Sequence, residues 1–147
     1  MTFLIRRRDV LRFSAAAIVP AAYAPAWAHE YYVPTLRVSH PWCRATPADA
    51  AFAVVCITFD EVREADRLIG IDTTVASAAE LSGRPGRAID FPIPAGRDSV
   101  LGEEGTVLRL TGLTQSLELG RSYPFRLVFA KGGAVDATLD VAYASLR

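Results

Sequence analysis

His29 and His40 are the only imidazoles in the chain. Imidazole and amine nitrogens suit copper(II), which favours them in a tetragonal plane. If the chain is cut after Ala28, His29 becomes the first residue, and its free amine and ring nitrogen can chelate one metal with His40 as a further ligand. The alternative for the same pair is structural: a frayed terminal His29 and a strand-edge His40 whose backbone Pro41 holds extended. Cys43 and Cys56 offer thiol chemistry, either as a bridge across a hairpin or as two small buried apolar side chains on different faces. The close Cys-x-x-Cys of a thiol redox centre is absent. Trp42 and Arg44, two apart on an extended segment, share one face. They make either a recognition surface or an arginine stacked over a half-buried indole.

Nothing in the chain sets up catalysis. A nucleophilic Ser or Cys needs a positioned His, and both histidines lie at one end, away from any glycine-framed nucleophile. Glu103-Glu104 are adjacent in a turn-like stretch, where solvation is their simplest state, and phosphate-cradling glycine loops are absent. The chain reads as a non-enzyme.

The residues that could hold a metal follow an export address. Arg7-Arg8-Asp9-Val10-Leu11-Arg12 runs into the apolar stretch Phe13 to Ala24 and stops at Ala26-Trp27-Ala28, the order of basic, apolar and cleavable regions in a signal peptide. The stretch is short for a membrane span and is broken by Pro20 and Pro25. Residues 1–28 are therefore expected to be a twin-arginine leader removed on the way to the periplasm, leaving residues 29–147 as one domain with no membrane insertion. The leader holds Arg6, Arg7, Arg8 and Arg12 against Asp9 alone. From 16 basic and 16 acidic residues, the remainder keeps 12 and 15. That mild negative balance argues against nucleic acid as a partner.

Past the leader the pattern is short β-rich runs bounded by Gly, Pro and Asp. Strands are expected at Thr35 to Cys43, Phe52 to Phe59, Arg67 to Asp72, Ala88 to Phe91, Val107 to Leu110, Tyr123 to Phe129 and Ala134 to Val141. In the last, Val135, Ala137, Leu139 and Val141 share one face, and Asp136, Thr138 and Asp140 share the other. Lys131-Gly132-Gly133 is a hairpin signal. So many short strands in one domain predict an all-β Greek-key sandwich or barrel.

Several segments carry a more specific resemblance, in this order. Val38-Ser39-His40-Pro41-Trp42-Cys43-Arg44-Ala45-Thr46 is followed by Phe52-Ala53-Val54-Val55-Cys56-Ile57-Thr58 and Asp66-Arg67-Leu68-Ile69-Gly70. Then come Ala78-Ala79-Glu80-Leu81, Ile93-Pro94-Ala95-Gly96, Leu110-Thr111-Gly112-Leu113 and Phe125-Arg126-Leu127-Val128-Phe129. Taken together they resemble the periplasmic copper chaperones of the PCu(A)C family. The resemblance implies a cupredoxin-like fold and copper(I) held by two His and two Met: a His after the Glu-Leu, a Met in the loop beyond, and a His-x-Met before the Gly-Leu turn.

This chain departs from that pattern at each ligand. Ser82 follows Glu80-Leu81, the loop Gly83 to Ile89 has no Met, and the His-x-Met position reads Val107-Leu108-Arg109. Met1 is the only methionine and leaves with the leader, so no thioether remains to bind copper(I). By the same resemblance Arg84, Arg87 and Arg109 lie near the former copper mouth, where with Ser82 they could take an anion or an acidic partner loop. Two readings follow. One is an exported copper-trafficking or copper-oxidase assembly protein that uses His29 and His40 or ligands from a partner copper protein. The other is a metal-free accessory module of the same fold.

Overall fold

The alternation expected along the last strand is what the architecture is built on. A computed structural model describes residues 29–144; the expected leader, 1–28, lies outside the described residues. Ten strands follow in order: β1 (Glu30–Tyr32), β2 (Arg37–Arg44), β3 (Phe52–Asp60), β4 (Asp66–Thr73), β5 (Ala76–Leu81), β6 (Phe91–Ile93), β7 (Ser99–Leu101), β8 (Leu108–Leu113), β9 (Ser122–Phe129) and β10 (Gly133–Tyr143). Their path is β5-β8-β3-β2-β10-β9-β4-β6, with β1 beside β2 and β7 beside β3. The sheet curls on itself around one apolar core, as a Greek-key β fold requires.

All the pairs are antiparallel except β2 with β10, where Trp42 faces Asp140 and Cys43 faces Val141. That parallel seam sets the first long strand against the last. Ala137, Leu139 and Val141 of β10 point inward as expected, meeting Tyr123, Phe125, Leu127 and Phe129 of β9 and Ala53, Val55, Ile57 and Phe59 of β3. Burying these side chains is the main favourable term in folding.

Three strands were not legible in the residues. β1 and β7 are three residues each, too short to show a period, and β5 reads Ala-Ser-Ala-Ala-Glu-Leu, whose alanines have low strand preference. β5 forms because β8 offers it a ladder from Leu108 to Leu113. The expected strand at Ala88 to Phe91 begins only at Phe91, and Thr35 sits in the turn before β2 rather than in the strand.

Thr35 has another task. Asp66, only 4% exposed at the head of β4, accepts hydrogen bonds from the Thr35 hydroxyl at 2.7 Å and from the backbone N–H groups of Arg67, Lys131 and Gly132, each at 2.8 Å. Burial opposes the Asp66 charge, but these four donors outweigh it and hold the carboxyl below its usual range. The site also explains Gly132 in the expected hairpin. A Cβ there would meet Val33 Cγ2 and Thr35 Oγ1 at 2.9 Å and Asp66 Oδ2 at 3.1 Å.

The cysteines do not bridge. In the β2–β3 ladder Trp42 faces Cys56 and Cys43 faces Val55, so the two thiols lie on opposite faces of the sheet. Both are free and buried, Cys43 in the core and Cys56 on the outer face behind Trp42 and Glu103. Burial pushes the Cys43 thiol up to about 12 and the Cys56 thiol up to about 11. Neither is a thiolate at neutral pH, so neither is reactive.

Two predictions follow from this geometry. Asp66→Asn turns an amide donor toward backbone donors and should cost about 2–4 kcal/mol at neutral pH. Because the folded carboxyl titrates below its ordinary value, its contribution is complete above the ordinary value and is lost progressively as pH falls from there through the folded one. The gap between wild type and variant in urea unfolding should therefore narrow from neutral pH to about pH 3; an equal gap at both would show that the charge contributes nothing. For the cysteines, a chromogenic disulfide reagent should label neither thiol in the folded protein and both after denaturation. A mass two hydrogens lower before reduction would contradict the strand register.

Candidate functional site

Strand β2 changes partner halfway along. Arg37, Val38 and Ser39 pair with Tyr32, Tyr31 and Glu30 of β1, while Trp42, Cys43 and Arg44 pair with β10. Between them the register against β3 slips, and His40 takes φ 45°. The expectation that Pro41 holds His40 extended is therefore corrected. Val38 and Cys43 are five apart yet both point into the core, which a regular strand of period two cannot do. One extra residue, a bulge, restores the alternation.

The bulge gathers three side chains. His40 N–H donates to the His29 carbonyl at 2.9 Å, which brings the start of β1 to the bulge. His29 Nε2 lies 3.8 Å and His40 Nδ1 lies 3.9 Å from the same oxygen, Oδ2 of Asp140. Asp140 comes from β10 as the partner of Trp42, and Ser122 of β9 donates to its other oxygen at 2.5 Å. His29 stacks on Tyr31 at 6.4 Å between ring centres, and the Tyr31 hydroxyl lies 2.8 Å from that of Thr138. Arg37 holds β1 from the other side, pairing with Glu30 at 3.3 Å and with Asp60 through two bonds of 2.7 and 3.0 Å. That pairing keeps the Asp60 carboxyl below its usual range.

His40 and Asp140 open onto a cleft of about 440 Å³ lined also by Leu119, Arg121, Ser122 and Tyr143. Among the described residues, no three His, Cys, Asp or Glu side chains enclose one point closely enough to hold an ion as they stand. The structure thus brings His29 and His40 together and adds Asp140 and Ser122, which sequence reasoning did not select. The alternation along β10 did place Asp140 outward, but its neighbour depends on the parallel seam, which has no local signal.

Trp42 and Arg44 share a face as expected. The guanidinium carbon of Arg44 lies 5.8 Å from the indole centre and 5.7 Å from the Tyr143 ring, while Arg44 Nε donates to Glu103 at 2.6 Å. This is the packing arrangement, an arginine capping two aromatic rings and tied by a carboxylate. Glu103 is therefore paired, not solely solvated.

The positions where the resemblance puts copper ligands do meet in space. Ser82 N–H donates to the Val107 carbonyl at 2.8 Å, and Val107 N–H donates to the Ser82 hydroxyl at 3.0 Å. Arg109 faces Glu80 in the β5–β8 ladder, and its guanidinium carbon lies 5.0 Å over the Phe52 ring. Arg84 and Arg87 are exposed in the loop after β5, where Glu80 accepts the Gly86 N–H at 3.2 Å. Here Ser82 acts as a clasp that closes the end of the ladder.

Comparison with curated proteins gives no match. Among solved structures, a copper-bound PCuAC domain from PmoF2 superposes with a TM-score of 0.71 at 23% identity, over 78% of this chain and 98% of that one. An apo PCuAC domain from PmoF1 gives 0.70 at 24%, over 78% and 99%. A copper(I) protein of Deinococcus radiodurans gives 0.58 at 21%, over 80% and 83%. At these identities the likeness is one of fold, and it bears out the cupredoxin-like expectation. The family model for LpqE-like lipoproteins matches residues 36–141, from the turn before β2 to the end of the buried run of β10. The chain belongs to the LpqE-like family and has the PCuAC-domain fold.

Proposed function

We propose that the protein is an exported copper-trafficking factor that serves a periplasmic copper protein or oxidase subunit and does not use the copper loop of its fold. The observation that carries the reading is the clasp between Ser82 and Val107 beside the Arg109–Phe52 stack. It occupies the ligand positions with a hydroxyl, an aliphatic side chain and a fixed cation that repels metal. The copper side rests on the PCuAC fold, since solved relatives include copper-loaded forms. Export rests on the leader and on membership of a lipoprotein family, and the twin-arginine route rests on the leader alone. Cys43 and Cys56 are both buried in strands, so neither thiol is placed to carry a lipid. The role is one of binding and transfer, without catalysis.

A second reading, a metal-free accessory module, is favoured by one feature. Arg84 and Arg87 are exposed and, among the described residues, form no ion pair, which suits an acidic loop on a partner.

Three outcomes are expected. Edman sequencing of the exported protein should begin at His29. Loss of the protein should lower the copper content of an exported copper enzyme, measured as metal per polypeptide; unchanged loading would overturn the trafficking role. Copper retained through gel filtration should be unaltered by Ser82→Ala and Arg109→Ala, and a fall in either variant would return the metal to the family loop. If the accessory reading holds instead, Arg84→Glu with Arg87→Glu should abolish partner loading while the protein carries no copper.

A further inference from the structure

Core packing accounts for the bulge at His40 but not for the pairing of its imidazole with His29 and Asp140. A separation of 3.8 or 3.9 Å is too long for a hydrogen bond, so Asp140 Oδ2 satisfies neither imidazole. His40 Nδ1 is buried and has no hydrogen-bond partner among the described residues, an arrangement that normally costs stability. The left-handed backbone of the same residue is fixed by the bulge, so this imidazole has a set position. Asp140 is oriented by Ser122 through Oδ1, which leaves Oδ2 directed at both rings. Serine on one oxygen with the other oxygen free is how a ligating carboxylate is held.

We infer that His29, His40 and Asp140 form a copper(II) site, with the terminal amine as a further donor once the chain is cut after Ala28. Donors about 2 Å from a common ion stand about 4 Å apart when trans and about 3 Å apart when cis. The 3.9 Å between His40 and Asp140 is the spacing of a trans pair, and His29 must close from 3.8 Å to the cis distance. Closing the set requires the His29 side chain to turn. At 47% exposure and at the first residue of the exported chain, nothing pins it except the ring of Tyr31. His40 is fixed by the bulge and Asp140 by the seam, so two ligands are preorganised and the third closes over the ion. Two imidazoles, an amine and one carboxylate are a nitrogen-rich set that favours copper(II) over other first-row divalent ions. The open cleft beside His40 and Asp140 gives an incoming protein ligand access to the metal.

The inference rests on the export and copper-handling reading, and its test separates the two. The exported protein is purified, its N-terminus is sequenced, and copper(II) chloride is titrated with calorimetry and electron paramagnetic resonance. One ion per chain with nitrogen hyperfine coupling is expected. His29→Ala and His40→Ala should each weaken binding by about 100-fold, Asp140→Asn and Ser122→Ala by about 10-fold, and a glycine inserted before His29 should also weaken it. Asp90→Asn, whose partner is Arg67 of β4, should bind as wild type, and circular dichroism should show every variant folded. Wild-type affinity in His40→Ala and Asp140→Asn, absence of binding, or displacement of the copper by equimolar zinc would each overturn the site. If the site fails while loss of the protein still lowers partner copper, the trafficking role stands. If the site holds while partner copper is unchanged, the role fails and the site stands.

Discussion

The buried carboxylate of Asp66 is the interaction on which the rest of the structure depends. Its four donors come from three separate segments: the turn before β2, the start of β4 and the β9–β10 hairpin. Leaving any of those N–H groups unpaired in the core would cost about as much as a lost buried hydrogen bond, which is a large share of a small domain's stability. By pinning the hairpin at Lys131 and Gly132, Asp66 fixes where β10 begins. The register against β9, from Gly133 opposite Phe129 to Asp140 opposite Ser122, follows from that start. A slip of one residue would turn Leu139 and Val141 to solvent and Asp140 into the core.

The second constraint is the bulge at His40. β2 serves two partners, β1 over its first half and β10 over its second, and the core claims both Val38 and Cys43. An odd spacing between two inward residues is met by one residue that belongs to neither face, and Pro41 after it has no N–H to lose from the ladder. The residue at that position is a histidine. The same packing demand that creates the kink delivers an imidazole to the place where three strands meet.

Fold and site chemistry are separable here. The core that carries the PCuAC architecture is apolar and continuous, while the loop end of β5 and β8 holds a clasp of Ser82 with Val107 and a stack of Arg109 on Phe52. A fold constrains where a site can sit but not what it binds. The buried thiols make a similar point: Cys43 and Cys56 look like a hairpin bridge by spacing, yet the register puts them on opposite faces, where they pack as apolar groups.

The sequence by itself determined the features that depend on near neighbours. The alternation of Val135, Ala137, Leu139 and Val141, the glycine turn at Lys131-Gly132-Gly133, the shared face of Trp42 and Arg44, and the absence of methionine after Met1 follow from residues close in the chain or from composition. β5 was hidden because its alanines become a strand only when β8 is beside them. The bulge was hidden because it answers to the core on both sides of β2. The meeting of His29 with Asp140 was decided only by tertiary structure, since it spans more than a hundred residues and requires the parallel seam between β2 and β10. Local patterns report which way a side chain faces; only long-range pairing, whose register is set by burial and by Asp66, decides what it faces.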